Sequence, residues 1–153
     1  MFKPLKNFKL PDSYQNKFGA LRKYDIHTGV DLFCNPLDNV YSIENGIVIN
    51  TGPFTGIKAN SPWWNDTNFI LIQGEYNILY GEIETSYKIG DSIKGGQIIG
   101  RVLTVLKKDK GLPLTMLHIE QYNLGYNRSG EIWNLNSSKP KQLINITKLL
   151  KLL

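Results

Sequence analysis

The sequence predicts an antiparallel all-β domain with long loops, and three observations carry that expectation. Short apolar and β-branched runs recur from Val40 to Tyr122. Fourteen glycines and seven prolines are scattered among them as turn formers rather than gathered into a linker. Leucines at helical spacing occur only at the C-terminus, Ile144 to Leu153, which predicts one short docking helix.

Taken in order, residues 1–26 read as an irregular lead-in that ends in Phe18-Gly19-Ala20-Leu21-Arg22. Val40-Tyr41-Ser42-Ile43 and Ile47-Val48-Ile49-Asn50 read as short strands flanking Glu44-Asn45-Gly46, where Asn-Gly offers positive φ for a tight turn. Residues 52–67 read as a loop containing Pro53, Gly56 and Ser61-Pro62-Trp63-Trp64-Asn65-Asp66. Asn68 to Gln73 and Asn77 to Ile83 read as a hairpin across Gly74-Glu75-Tyr76. In Ile89 to Gly100, apolar residues stand between closely spaced glycines, as in a strand that bends sharply. Thr115 to Tyr122 reads as a further strand.

A chain of 153 residues is long enough for one domain, 1–153, with a core of its own. Its net charge of +5 favours an anionic partner such as a cell-wall polymer or a nucleic acid. The basic residues are not interleaved with aromatics, and no helix-turn-helix or finger pattern occurs, so nucleic-acid binding is not expected. Lys107-Lys108-Asp109-Lys110 reads as a solvated loop. No run approaches the ~20 apolar residues of a membrane span. The start, Met1 to Lys6, carries charge without the apolar run of a signal peptide. The expected location is therefore cytoplasmic, or outside the cell by a route not encoded here. The oligomeric state cannot be read from the sequence. Cys34 is alone, which excludes an intramolecular disulfide. It reads as a small buried thiol or as an extra metal ligand.

The chemistry concentrates in two segments, His27-Thr28-Gly29-Val30-Asp31 and Met116-Leu117-His118-Ile119-Glu120, which hold both histidines of the chain. In an extended strand His27 and Asp31 would lie roughly 13 Å apart, too far to share a metal. Thr-Gly-Val is poor helix material, so a turn at Thr28-Gly29 is expected to bring Asp31 back beside His27. In the second segment Met116, His118 and Glu120 share one strand face, with Leu117 and Ile119 on the other. Two imidazole nitrogens and one carboxylate oxygen suit Zn2+, with a fourth position left open. The competing reading makes both histidines structural polar residues.

These segments resemble the lysostaphin-type zinc metallopeptidases that cut peptidoglycan cross-bridges, and the resemblance runs from about Phe18 to Leu149. His27-Thr28-Gly29-Val30-Asp31-Leu32 resembles the family's H-x-G-x-D-[LI] segment. Val40 to Val48 resembles P-V-x-A-x-x-G-x-V, and Leu79-Tyr80-Gly81-Glu82-Ile83 resembles L-Y-x-H-L. Ile89 to Gly100 follows V-x-x-G-D-x-V-x-x-G-Q-x-I-G, and Leu117-His118-Ile119-Glu120 matches the end of H-L-H-F-E. The resemblance implies a barrel-sandwich hybrid fold, His27, Asp31 and His118 as zinc ligands, and peptidoglycan or a related peptide as substrate. Lipoyl-carrier domains share the glycine-spaced hairpin, but they need a lysine at a turn tip, and Glu44-Asn45-Gly46 has none.

The departures bear on activity. The family has histidines at the positions of Glu82 and Met116, where they are thought to handle protons and to stabilise the tetrahedral intermediate. Methionine donates no hydrogen bond, and general acid–base help is worth ~10²–10⁴ in rate. Glu82 stands where a carboxylate could serve as general base, as the glutamate of H-E-x-x-H enzymes does, or it is an ordinary solvated residue. Glu120 and Met116 are expected just outside the metal ligands, Glu120 as an orienting partner for an imidazole or a surface charge. Trp63 and Trp64 could wall a substrate groove, with Asn65 and Asp66 supplying hydrogen bonds, or could pack the loop onto the sheet. Arg22 could hold a substrate carboxylate or pair with Asp25. Two readings follow. One is an active zinc peptidase, phage-encoded or otherwise delivered to a cell wall, with Glu82 in place of a histidine. The other is an inactive metal-binding homologue acting as a wall-binding or structural module.

Overall fold

The computed structural model describes residues 1–108 and 115–153. Asp109 and Lys110 of the lysine-rich loop lie outside the described residues. The strands are β1 (Asp25–Ile26), β2 (Val30–Phe33), β3 (Asn39–Tyr41), β4 (Gly46–Thr55), β5 (Thr67–Gln73), β6 (Asn77–Glu84), β7 (Ser92–Ile93), β8 (Ile98–Val102), β9 (Met116–Tyr122), β10 (Trp133–Asn134) and β11 (Leu143–Ile144). One short helix, α1 (Thr147–Leu150), follows. The main sheet runs β11-β9-β6-β5-β4-β7, with β2 on β9, β8 on β6 and β3 on β8, while β1 and β10 form a separate pair. All of these pairings are antiparallel. No helix among the described residues is long and apolar enough to cross a membrane.

The central strands bury both faces. Ile70, Ile72, Ile78, Tyr80, Leu117 and Ile119 enter the main core, while Phe69, Leu71, Leu79 and Tyr122 enter a smaller cluster on the opposite face. Alternation with period two explains the split on β5 and β9. On β9 it places His118 and Glu120 on the Tyr122 side, so the polar site lies against the smaller cluster.

The hairpin expected across Gly74-Glu75-Tyr76 is present, with Gln73 opposite Asn77. Other local expectations are corrected. The strands on either side of Glu44-Asn45-Gly46 do not pair with each other: β3 pairs with β8, and β4 with β5 and β7. Neither Asn45 nor Gly46 has positive φ. Gly46 is small for another reason, because a Cβ there would stand 2.7 Å from Cγ2 of Ile72. Asn45 Oδ1 instead accepts from the Gly95 amide. The stretch read as a loop from residue 52 continues β4 as far as Thr55, with bulges that absorb Pro53. The bent strand over 89–100 is two short strands, β7 and β8, with Gly90 and Gly96 at positive φ. The C-terminal helix is confined to Thr147–Leu150, because Leu143 and Ile144 are used in pairing with β9.

Candidate metal centre

β2 and β9 pair so that Asp31 stands directly opposite His118. His27 lies in the short link between β1 and β2. Gly29 permits this arrangement by close approach rather than by positive φ, since a Cβ there would stand 2.4 Å from the Ile119 carbonyl oxygen. His27, Asp31 and His118 are all buried. Asp31 Oδ1 is 2.8 Å from His118 Nδ1 and 3.2 Å from His27 Nε2, and the two nitrogens are 3.3 Å apart. Ligand atoms on one tetrahedral zinc with ~2 Å bonds stand roughly 3.3 Å from each other. The triangle has about that size.

The outer contacts decide which way the lone pairs point. His27 Nδ1 donates to the Lys17 carbonyl at 2.9 Å, which leaves Nε2 unprotonated in the neutral ring. His118 Nε2 donates to Glu120 Oε1 at 2.8 Å, which leaves Nδ1 unprotonated. Arg22 Nη2 donates to Asp31 Oδ2 at 2.7 Å, so Oδ1 is the oxygen that faces the histidines. Three electron pairs thus converge, and only a proton or a cation between them prevents repulsion. With a proton there, His118 is pushed up to about 10: burial opposes its charge, but Asp31 and Glu120 more than offset it. Burial opposes the Asp31 charge as well, yet the hydrogen bonds from His118 and His27 hold its carboxyl far below the usual range.

Glu82 reaches this site through an irregularity. On regular β6 it would share a face with Ile78 and Tyr80. Yet Ile83, not Glu82, joins them in the main core. The register against β5 shifts between Asn68 and Ile70, and Glu82 has φ 62°. A bulge at Gly81-Glu82 therefore transfers the carboxyl to the side of the sheet that carries His118. Glu82 Oε2 is buried without a hydrogen-bond partner among the described residues. Burial, then the charge of Asp31, pushes the Glu82 carboxyl up to about 8. A dication among the ligands would act in the opposite direction.

Glu82, Arg22 and Trp64 lie where two parts of an open cleft meet. One part also has Leu21, Lys23, Asp31, Val105 and Met116. The other has His27, Thr28, His118, Ser129 and Ile132. Arg22 pairs with Asp31 rather than with the Asp25 carboxylate; from Asp25 it takes only a backbone contact. Trp64 is 38% exposed in the cleft, while Trp63 is more exposed and packs edge-on against it. Asn65 donates to the Thr104 carbonyl, and Asp66 Oδ1 accepts from the Ile57 amide, so both side chains brace the loop. Cys34 is not in the ligand cluster, and its thiol points to the Thr115 carbonyl.

The model of peptidase family M23 matches residues 25–128. The chain belongs to peptidase family M23. Its fold is similar to that of the catalytic domain of the antimicrobial peptidase lysostaphin from Staphylococcus simulans, at TM-score 0.60 and 22% identity over 95% of this chain and 93% of that one. Against the longer lysostaphin structure the TM-score is 0.62 at 21% identity, covering 97% of this chain and 52% of that one. The catalytic domain of the prophage-encoded M23 protein EnpA from Enterococcus faecalis matches at TM-score 0.55 and 22% identity, over 86% of this chain and 92% of that one. No curated protein sequence matches the chain.

Within this M23 fold, three contributors escape the sequence reading. Phe54 packs on His118 with ring centroids 5.5 Å apart, and it fits because Gly81 has no side chain to displace it. Thr28 and Tyr122 both donate to Glu120. Tyr122 continues the alternation of His118 and Glu120, a signal present in the sequence. Phe54 comes from a stretch read as loop and gave none.

Proposed function

We propose that this M23 member is a zinc-dependent peptidase that hydrolyses a peptide cross-link of peptidoglycan, with Glu82 as general base. The observation that carries this reading is the convergence of three lone pairs from His27, Asp31 and His118 beside a carboxyl aimed into the same cleft. The donor set fits zinc in type and spacing. When bound, that ion supplies Lewis acidity for water and for the scissile carbonyl.

The chain's own residues supply the remaining roles. Arg22 holds Asp31 in one orientation. Glu82 takes the proton from water as oxygen attacks the carbonyl carbon, then returns it to the amide nitrogen as the C–N bond breaks. Trp64 walls the cleft on both sides of this point and packs against substrate. Met116 lines the cleft without a proton to give.

Glu82→Gln is the test. It keeps shape and removes the base. Turnover should fall by ~10²–10⁴ while zinc stays bound. Full activity in that variant would eliminate the role given to Glu82.

A second reading has its own observation. Met116 occupies a position where a proton donor would assist catalysis, which favours a metal-stabilised module that binds cell wall without cutting it. Unchanged peptidoglycan beside a zinc-loaded wild type would support that reading.

A further inference from the structure

Glu120 is buried on the cleft face of β9, two residues after His118, and both oxygens of its carboxylate accept hydrogen bonds. Oε1 accepts from His118 Nε2 at 2.8 Å and from Thr28 Oγ1 at 2.5 Å. Oε2 accepts from the Tyr122 hydroxyl at 2.6 Å. That hydroxyl in turn accepts from the Glu131 amide at 2.9 Å, so its single proton is directed at Glu120. Tyr122 stacks on Tyr126 at 3.9 Å, and the Tyr126 hydroxyl accepts from the Gly130 amide.

The chain of donors has one consistent arrangement. A backbone amide can only donate, so Tyr122 must pass its proton toward Glu120. Thr28 adds a second hydroxyl proton. A carboxylate receiving both has only acceptor capacity left for His118. The ring nitrogen Nε2 must therefore carry the proton, and Nδ1 presents its lone pair to Asp31 and His27. We propose that Glu120 is a positioning residue that fixes the tautomer and orientation of His118 and thereby sets the metal affinity of the site. Thr28 and Tyr122 hold its carboxylate in place. The Glu131 and Gly130 amides tie this assembly to the 129–132 wall of the cleft, so the metal ligand and the substrate wall share one support. This inference rests on the reading of His27, Asp31 and His118 as metal ligands.

The test uses the full chain and zinc itself. Affinity is measured by competition with a chromophoric chelator for wild type, Glu120→Gln and Tyr122→Phe, and the absorption of the cobalt(II)-loaded proteins is recorded. The Gln amide cannot accept from His118, Thr28 and Tyr122 together. Glu120→Gln should bind zinc ~10–100-fold more weakly and show an altered cobalt spectrum. Tyr122→Phe keeps the ring stack and removes one donor, and should lose affinity to a smaller degree. Ile99→Ala, a core change away from the site, should lower thermal stability and leave affinity and spectrum unchanged. Wild-type affinity and spectrum in Glu120→Gln would overturn the proposal. Should that variant fail to fold, Tyr122→Phe decides, and wild-type affinity there overturns it. A wild type that takes up no zinc would instead overturn the metal reading itself.

Discussion

Gly29 lies so close to Ile119 that a Cβ on Gly29 would stand 2.4 Å from the Ile119 carbonyl oxygen and 2.9 Å from Cε1 of His118. The contact fixes how near β2 comes to β9, and the Asp31–His118 pair depends on that spacing. Gly29→Ala forces backbone apart, because a carbonyl oxygen cannot move as a side-chain tip can. We expect a loss of about 1–3 kcal/mol, typical of overpacking, together with loss of stoichiometric zinc. Thermal melting and metal analysis on one preparation check both effects. A variant that melts and binds zinc like the wild type would show the contact to be tolerant.

Glu82 is held at φ 62° with a buried oxygen that has no hydrogen-bond partner among the described residues, and both features oppose stability. Positive φ in a non-glycine residue costs about 1–3 kcal/mol where the surroundings impose it. Glu82→Gly should therefore raise the melting temperature, by about 2–4 °C for each kcal/mol recovered in a chain of this size. The same change removes the proposed base, so any peptidase activity should disappear. Gain of stability with loss of function is the expected signature of strain kept for chemistry. A melting temperature below wild type would count against strain at this position.

Cys34 tests the burial of the β2 end from outside the site. Burial, then the charge of Asp38, pushes its thiol up to about 12. At pH 8 the native thiol should react with iodoacetamide roughly 10³-fold more slowly than in the unfolded chain, because the thiolate is the nucleophile. The linked stability has a definite sign. The folded pKa lies above the ordinary 9.0, so this contribution is complete below pH 9 and is lost as pH rises through 9 toward 12, where only the unfolded chain ionises. Rapid native labelling at pH 8 would contradict the placement of Cys34.

Much of the clustering of His27, Asp31 and His118 was legible because these residues lie in short segments with fixed periodicity. Period two on Met116 to Tyr122 correctly put His118 and Glu120 on one face and Leu117 and Ile119 on the other. The hairpin from Asn68 to Ile83 was legible because its turn is local. Partner choice was not. Nothing in Val40 to Asn50 says that β3 will pair with β8 rather than with its neighbour β4, since that depends on strands about sixty residues later. Nor can alternation announce the bulge at Gly81-Glu82, because a single unpaired residue changes the parity of everything after it. Arg22 could be read only as near the metal segment. Its choice of Asp31 over Asp25 depends on how the link between β1 and β2 places the Asp31 carboxylate within reach of Arg22.

In the proposed mechanism a metal held by His27, Asp31 and His118 serves peptide hydrolysis in this chain. The decisive measurement is release of new free amines from purified peptidoglycan, with zinc-loaded wild type beside Asp31→Ala. Release by the wild type and none by the variant is the predicted result. No release by either, with one zinc bound per wild-type chain, would contradict that role and leave a metal-stabilised binding module.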